Sequence, residues 1–419
     1  MKLGRGLLAH ASAALASLLE FSQPADEVLS RYFRAHRQLG RQDRALVAES
    51  AFAVLRRLRS LEAAAGSREP RALLIAALVR VLGFSGRALE AVLAADEIAL
   101  VAGIKASRIE ALPAAVRADL PDWLWERLAG EHGEDEAMRI AQALLNPAPL
   151  DLRVNLARIG RDEALERLTQ DGIGAAPTPF SPAGMRIVGK PAVNRHPLFR
   201  DGLVEVQDEG SQILAWLLAP RRGEMLADYC AGAGGKTLAM AMLMRGTGRV
   251  YAMDVSAKRL AALAPRAARA AITNVHSIVL AGEHDARVKR LAGKLDRVLV
   301  DAPCSGFGTL RRNPDLKWRH KPQAIGELAA KQARILASAA TLVKAGGRLV
   351  YATCSIVREE NEAIADAFLS EHADFRPISC SAALAAQRIA LDTGERLRLW
   401  PHEHATDGFF AAAFERARA

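Results

Sequence analysis

From Leu7 to about Gly133 the apolar residues recur every third or fourth position, as in Ala48, Ala51, Phe52 and Leu55 and again in Leu73, Leu74, Ala77 and Leu78. That spacing lays an apolar stripe along a helix, and Pro and Gly divide it into segments, so it predicts an all-helical region. The pattern changes after the Pro-rich tract at 146–150. Residues 152–156 (Leu-Arg-Val-Asn-Leu) alternate, 161–168 return to helical spacing and 184–188 read as extended, which predicts a small α+β module.

From about Gln207 short β-rich runs alternate with helical stretches. The predicted strands are 225–229, 250–254, 275–280, 297–301 and 349–353, with one helix over 256–271. Such alternation implies a mostly parallel sheet with helices on both faces. The runs 397–400 and 408–414 lack a helix between them and read as an antiparallel hairpin at the sheet edge. Ligands of such sheets bind at the carboxyl ends of the strands.

Length, charge and residue usage sharpen the picture. A chain of 419 residues exceeds what one core usually serves, so two or three domains are expected. The formal charge of +10 is uneven: Arg31, Arg34, Arg37, Arg41, Arg44, Arg56, Arg57 and Arg59 face only Asp43 and Glu49. That favours a polyanionic partner, with a solvated helical face as the equally weighted alternative. Four cysteines are too few for a disulfide framework and suggest a reducing compartment. His10 and Ser12 interrupt the apolar N-terminal stretch, and no run approaches a membrane span, so the expected location is cytoplasmic.

Asp228-Tyr229-Cys230-Ala231-Gly232-Ala233-Gly234-Gly235-Lys236-Thr237 ends a predicted strand and opens a helix. Its glycines let backbone N–H groups approach a polar ligand. A phosphate-binding loop of the Walker type would need glycine where Cys230 stands, and a second carboxylate motif for magnesium. The next strand ends at Asp254, about 20 residues on, where a carboxylate can take a ribose hydroxyl pair. Loop and acid together suit an adenosine-containing cofactor, although Asp254 alone could simply cap the following helix.

Asp301-Ala302-Pro303-Cys304-Ser305-Gly306 follows the fourth strand and Tyr351-Ala352-Thr353-Cys354-Ser355 ends the fifth, so two thiols converge on one sheet edge. A lone cysteine is usually a small buried hydrophobe, which is the reading for Cys380. A pair flanked by Asp, Ser and Gly suits chemistry. Cytosine carbon 5 accepts a methyl group only after a thiolate has added at carbon 6, a step one of these cysteines can perform. A hydrogen-bonding group at ring nitrogen 3 would assist, a task suited to Asp301. A second thiol could supply or relay the base that removes the carbon-5 proton.

At these residues the chain resembles the Nop/Sun family of RNA cytosine-5 methyltransferases, which carries both a Pro-Cys and a Thr-Cys motif. The resemblance runs from about Leu120 to the C-terminus. It rests on Leu120-Pro-Asp-Trp-Leu-Trp, Leu152-Arg-Val-Asn, Val206-Gln-Asp-Glu-Gly-Ser, the 230–236 loop and the two cysteine motifs, together with Arg312-Asn-Pro-Asp-Leu-Lys-Trp and Glu360-Asn361. It implies an α/β, Rossmann-like class I methyltransferase domain at 206–419 that uses S-adenosylmethionine. A small α+β RNA-recognition-like module at 136–205 would precede it. Through Ala25-Asp26-Glu27 and residues 39–44, the first 135 residues resemble the NusB-like domain of bacterial small-subunit ribosomal RNA methyltransferases in this family.

By the same resemblance Cys354 attacks and Cys304 promotes product release, while Asp301 bridges the cofactor and substrate sites. Cys230, Ala231, Gly232, Ala233, Gly234, Gly235, Lys236, Asp254 and Asp301 would line the cofactor pocket. Asp285 stands a few residues late for the adenine-side acid. Gly232-Ala233 replaces the family's common Ala-Pro, which should loosen the cradle. Arg311, Arg312, Lys317 and Trp318 would line the substrate approach, with Trp318 either stacking on a base or serving the core. The implied protein is a monomer acting on 16S ribosomal RNA, without metal or membrane. Transfer RNA as substrate, or a non-catalytic assembly role for the same fold, are the alternatives.

Overall fold

The computed structural model describes residues 3–418, which divide into two compact units. One unit runs to Pro147 and includes Thr309–Pro322; the other comprises Ala148–Gly308 and the chain from Gln323 onward.

The first unit is helical, beginning with α1 (Arg5–Leu18), α2 (Ala25–Ala35), α3 (Arg41–Arg56), α4 (Leu58–Ala65) and α5 (Pro70–Arg80) and ending with a helix at Glu134–Leu144. Pro70 starts α5 where its missing N–H costs nothing. Ala72 to Leu78 are all buried, so α5 is the axis around which Leu8, Leu15, Val47, Leu55 and Leu61 pack. The 309–322 segment is anchored in this unit. The Lys317 ammonium donates to Arg56 O (2.8 Å), the Trp318 indole donates to Leu55 O (2.7 Å), and Asp315 accepts from the Ala25 N–H (3.3 Å).

The second unit holds two sheets. The smaller consists of β1 (Leu150–Val154), β2 (Ala175–Pro177), β3 (Gly184–Ile187) and β4 (Val204–Val206), all antiparallel in the order β2-β3-β1-β4. Leu152, Val154, Met185 and Val204 bury one face against Ala164 and Leu168 of the helix Arg161–Gln170. The three-residue strands β2 and β4 carry no readable alternation of their own.

The larger sheet contains β5 (Met225–Asp228), β6 (Arg249–Asp254), β7 (Val275–Val279), β8 (Leu295–Asp301), β9 (Val343–Thr353), β10 (Phe375–Ile378), β11 (Leu397–Leu399) and β12 (Phe409–Arg416). Its order is β10-β12-β9-β8-β5-β6-β7, with β11 paired to β12. Strands β5 to β9 are parallel and β12 is antiparallel to β9. Both faces are buried: Val298, Val300, Leu349 and Tyr351 enter one core, and Leu299, Val350 and Ala352 the other. This is the Rossmann-like arrangement, and its switch point lies between β5 and β8, where ligands of such sheets bind.

Two local expectations are corrected. The β11–β12 pair is real, but a helical turn at Pro401–His404 intervenes and β10 covers β12, so β12 is an interior strand. The expected single helix after β6 is two, Ala257–Ala261 and Leu263–Arg269. Pro265 causes the break, because its ring clashes with the carbonyl four residues back, at Ala261.

Candidate active site

At the carboxyl ends of the parallel strands lies a cavity of about 360 Å³. The loop after β5 supplies Tyr229 to Ala233, β6 supplies Asp254, and the region after β7 supplies Gly282 and Glu283. The end of β8 adds Asp301 to Cys304, and β9 ends at Cys354. Each strand delivers its residue to the same rim because parallel strands end on the same side.

The glycine loop is held from three directions. Gly232, at φ +54°, donates its N–H to Asp254 Oδ2 (2.8 Å), and the space where its side chain would stand is open. Gly234, at φ +86°, sits against Leu263, which a Cβ would approach to 2.2 Å, so no larger residue fits. From outside, Arg266 donates to Ala233 O (2.5 Å) while gripping Glu205, and buried Arg153 donates to Gly235 O (2.8 Å). Arg266 thus tethers the loop at Ala233, where the sequence led us to expect a looser cradle. Asp254 also accepts from Ser256 N (2.7 Å) and Arg259 (3.1 Å), so it serves helix and loop together, with Ser256 as the actual cap. An open-faced loop, a carboxylate at its edge and a cavity beyond fit an adenosine-bearing cofactor.

The two sulfurs meet: Cys304 Sγ lies 3.4 Å from Cys354 Sγ. Beside them the Lys236 ammonium donates to Asp301 Oδ2 (2.7 Å) and lies 5.7 Å from the centre of the Phe409 ring. Burial opposes the charge on Lys236, but the Asp301 carboxylate more than compensates and raises its pKa. Lys236 therefore stays cationic beside Asp301. The hydrogen bond with Cys354, then burial, push the Cys304 thiol well above its usual range. Cys304 therefore holds its proton beside Cys354. Burial likewise raises the Cys230 thiol, and Cys380 is fully buried.

Backbone geometry locks the thiol loops. Gly308 donates to Cys354 O (2.9 Å), and a Cβ on it would lie 2.1 Å from Gly408 O. Of the residues expected at the cofactor, Cys230 to Ala233, Asp254 and Asp301 line the cavity; Gly234 and Gly235 shape the turn behind it, and Lys236 reaches Asp301. Asp285 does not reach it. Its carboxylate caps the helix Ala286–Arg290 and accepts from Ala281 N, Arg287 N and the Arg287 guanidinium. Glu283 lines the wall instead, its carboxylate meeting Arg334 at 3.0 Å. Lys317 is buried in the helical unit, whereas the half-buried Trp318 packs against its core and also lines a cavity there with Leu58, Arg59 and Trp123. Sequence reasoning did not find Arg266 or Phe409, which reach their partners from 33 or more residues along the chain, or Arg259, whose contact with Asp254 five residues earlier spans a strand-to-helix turn.

A cavity at the switch point, walled by carboxylates and opening on paired thiols, defines a Rossmann-like methyltransferase. Comparison with known proteins specifies the family. The profile described as 16S rRNA methyltransferase RsmB/F matches residues 215–415, and a ferredoxin-like domain of RsmF/B-like methyltransferases matches 120–194. The probable ribosomal RNA small subunit methyltransferase B of Bacillus subtilis is 35% identical over 309 residues, covering 72% of this chain and 67% of that protein. The corresponding Yersinia pseudotuberculosis methyltransferase B is 35% identical over 312 residues, covering 73% and 69%. A methyltransferase homolog from Pyrococcus horikoshii superposes with a TM-score of 0.62 at 29% identity, covering 72% of this chain and 97% of that one. The chain belongs to the RsmB/F family of S-adenosylmethionine-dependent RNA cytosine-5 methyltransferases.

Proposed function

We propose that this enzyme methylates carbon 5 of an unpaired cytosine in 16S ribosomal RNA, with Cys354 as nucleophile. The 3.4 Å approach of two sulfurs beside the Lys236–Asp301 ion pair carries the reading. The Cys230–Ala233 loop, Asp254 and Asp301 would hold S-adenosylmethionine, which supplies an electrophilic methyl group when bound.

Cys354, as thiolate, forms the bond to carbon 6, and the electron pair of the carbon 5–carbon 6 double bond becomes available at carbon 5. Ring nitrogen 3, where negative charge also develops, takes a hydrogen bond from Asp301 once Asp301 carries a proton, which the Lys236 ammonium bonded to it can supply. Lys236 fixes the Asp301 carboxylate and faces Cys354. Once carbon 5 carries its methyl group, a water molecule acts as the base and takes its proton. The pair returns to the ring and the sulfur–carbon 6 bond breaks, with Cys304 donating its hydrogen bond to the departing thiolate. A substrate base must be unstacked to reach this rim.

The test is methyl transfer from labelled S-adenosylmethionine to unmodified RNA. Wild type is expected to label small-subunit ribosomal RNA and Cys354→Ala to label none. Labelling confined to transfer RNA would refute the substrate, and full activity of Cys354→Ala would refute the nucleophile.

A further inference from the structure

Glu360 belongs to none of the roles above, yet it is fully buried in the turn that follows β9. Every donor that meets its carboxylate is neutral. Oε1 accepts from the Ser305 N–H (2.8 Å) and from Gln332 Nε2 (2.9 Å); Oε2 accepts from the Ser305 hydroxyl (2.5 Å) and the Ser355 hydroxyl (2.5 Å). An isolated buried carboxylate is costly, and four hydrogen bonds of this kind are what sustain it.

The donors come from both thiol loops. Ser305 adjoins Cys304 and Ser355 adjoins Cys354, so one carboxylate holds the two neighbours of the two sulfurs. Gln332 ties in the third side, donating also to Pro303 O (3.0 Å), while the Tyr351 hydroxyl bonds Gln332 Oε1 and Glu360 O. Asn361 continues the brace, joining Thr353 and Ser355 O (3.1 Å). We propose that Glu360 is the positioning residue of the thiol pair: it clamps the Cys304 loop to the Cys354 loop and so sets the distance between the sulfurs. The inference rests on the roles proposed above for Cys354 and Cys304. The negative charge also helps Cys304 to keep its proton.

The experiment compares Glu360→Ala and Glu360→Gln in the full-length enzyme. It reads kcat, KM for RNA, cofactor affinity and the rate at which diamide joins Cys304 to Cys354 in the absence of RNA. Misplacing reacting groups by about 1 Å can cost about 100-fold in rate. Glu360→Ala is therefore expected to lose about 100-fold in kcat, with KM and cofactor affinity within about twofold, and to cross-link its thiols about tenfold more slowly. Glu360→Gln should recover to within about tenfold of wild type, because its amide can still accept from the Ser305 N–H and donate to the hydroxyls.

Should Glu360→Ala fail to fold, the Ser305→Ala/Ser355→Ala variant carries the test, with about a tenfold loss in kcat expected. A folded Glu360→Ala enzyme with unchanged kcat and cross-linking would overturn the proposal, as would equal losses of kcat and cofactor affinity. The cross-link separates the clamp from the chemistry. If it slows while Cys354→Ala stays active, the thiol roles fail and the clamp stands; if it is unchanged while Cys354→Ala is dead, the clamp alone fails.

Discussion

Asp228, at the foot of the glycine loop, accepts from the Thr237 hydroxyl (2.6 Å) and is otherwise sealed from solvent. Burial raises its pKa to about 7. The unfolded value is about 3.9, so the native state holds this proton more tightly; the stabilisation is complete below about pH 4 and is lost as pH rises toward 7. Asp228→Asn keeps an acceptor for Thr237 without ionising. In denaturant titrations it is expected to exceed wild type by up to about 4 kcal/mol at pH 8 and by much less at pH 5. A stability gap independent of pH would contradict this assignment. Gly234 gives a second expectation at this scale. Gly234→Ala meets both a left-handed backbone and Leu263, so it should destabilise the enzyme by at least about 2 kcal/mol.

The glycine loop shows what a pattern can and cannot reveal at the scale of an element. Its glycines, its place between strand and helix, and the acid at the end of β6 were all readable locally, because each obeys a short-range rule. Arg266 was not, because it reaches the loop from a helix 33 residues downstream. Arg266→Ala is expected to weaken S-adenosylmethionine binding about tenfold, read by calorimetry, and to change kcat far less, since the tether shapes the cradle and not the thiols. Equal affinity in the two proteins would show that the loop stands without its tether. Asp285 failed for a related reason: a carboxylate two residues ahead of an arginine closes a local cap, and spacing alone does not distinguish a cap from a ligand. Strand β10 and the three-residue strands β2 and β4 were missed because their alternation is too short to register.

For the whole molecule, the alternation of strands and helices made the Rossmann-like sheet legible, and the paired cysteine motifs placed both thiols on one edge. The helical region was legible from its spacing, but the division of its arginines was not. Arg31, Arg34, Arg37 and Arg41 are exposed, whereas Arg56 donates to Arg311 O (3.0 Å) and Arg59 to Leu120 O (2.8 Å), so part of the cluster is structural. Replacing the four exposed arginines by Gln should weaken RNA binding and flatten its logarithmic salt dependence by about one unit for each arginine that meets a phosphate. An unchanged slope would assign that face to solvent. No helix among the described residues is long and apolar enough to cross a membrane.

The claim on which the account turns is the division of labour between the two sulfurs. The most direct measurement is denaturing electrophoresis of Cys304→Ala after incubation with S-adenosylmethionine and unmodified ribosomal RNA. A slow-migrating protein–RNA adduct is expected, and it should be absent from the Cys304→Ala/Cys354→Ala double variant. An adduct that persists without Cys354, or one formed by Cys354→Ala alone, would contradict the claim.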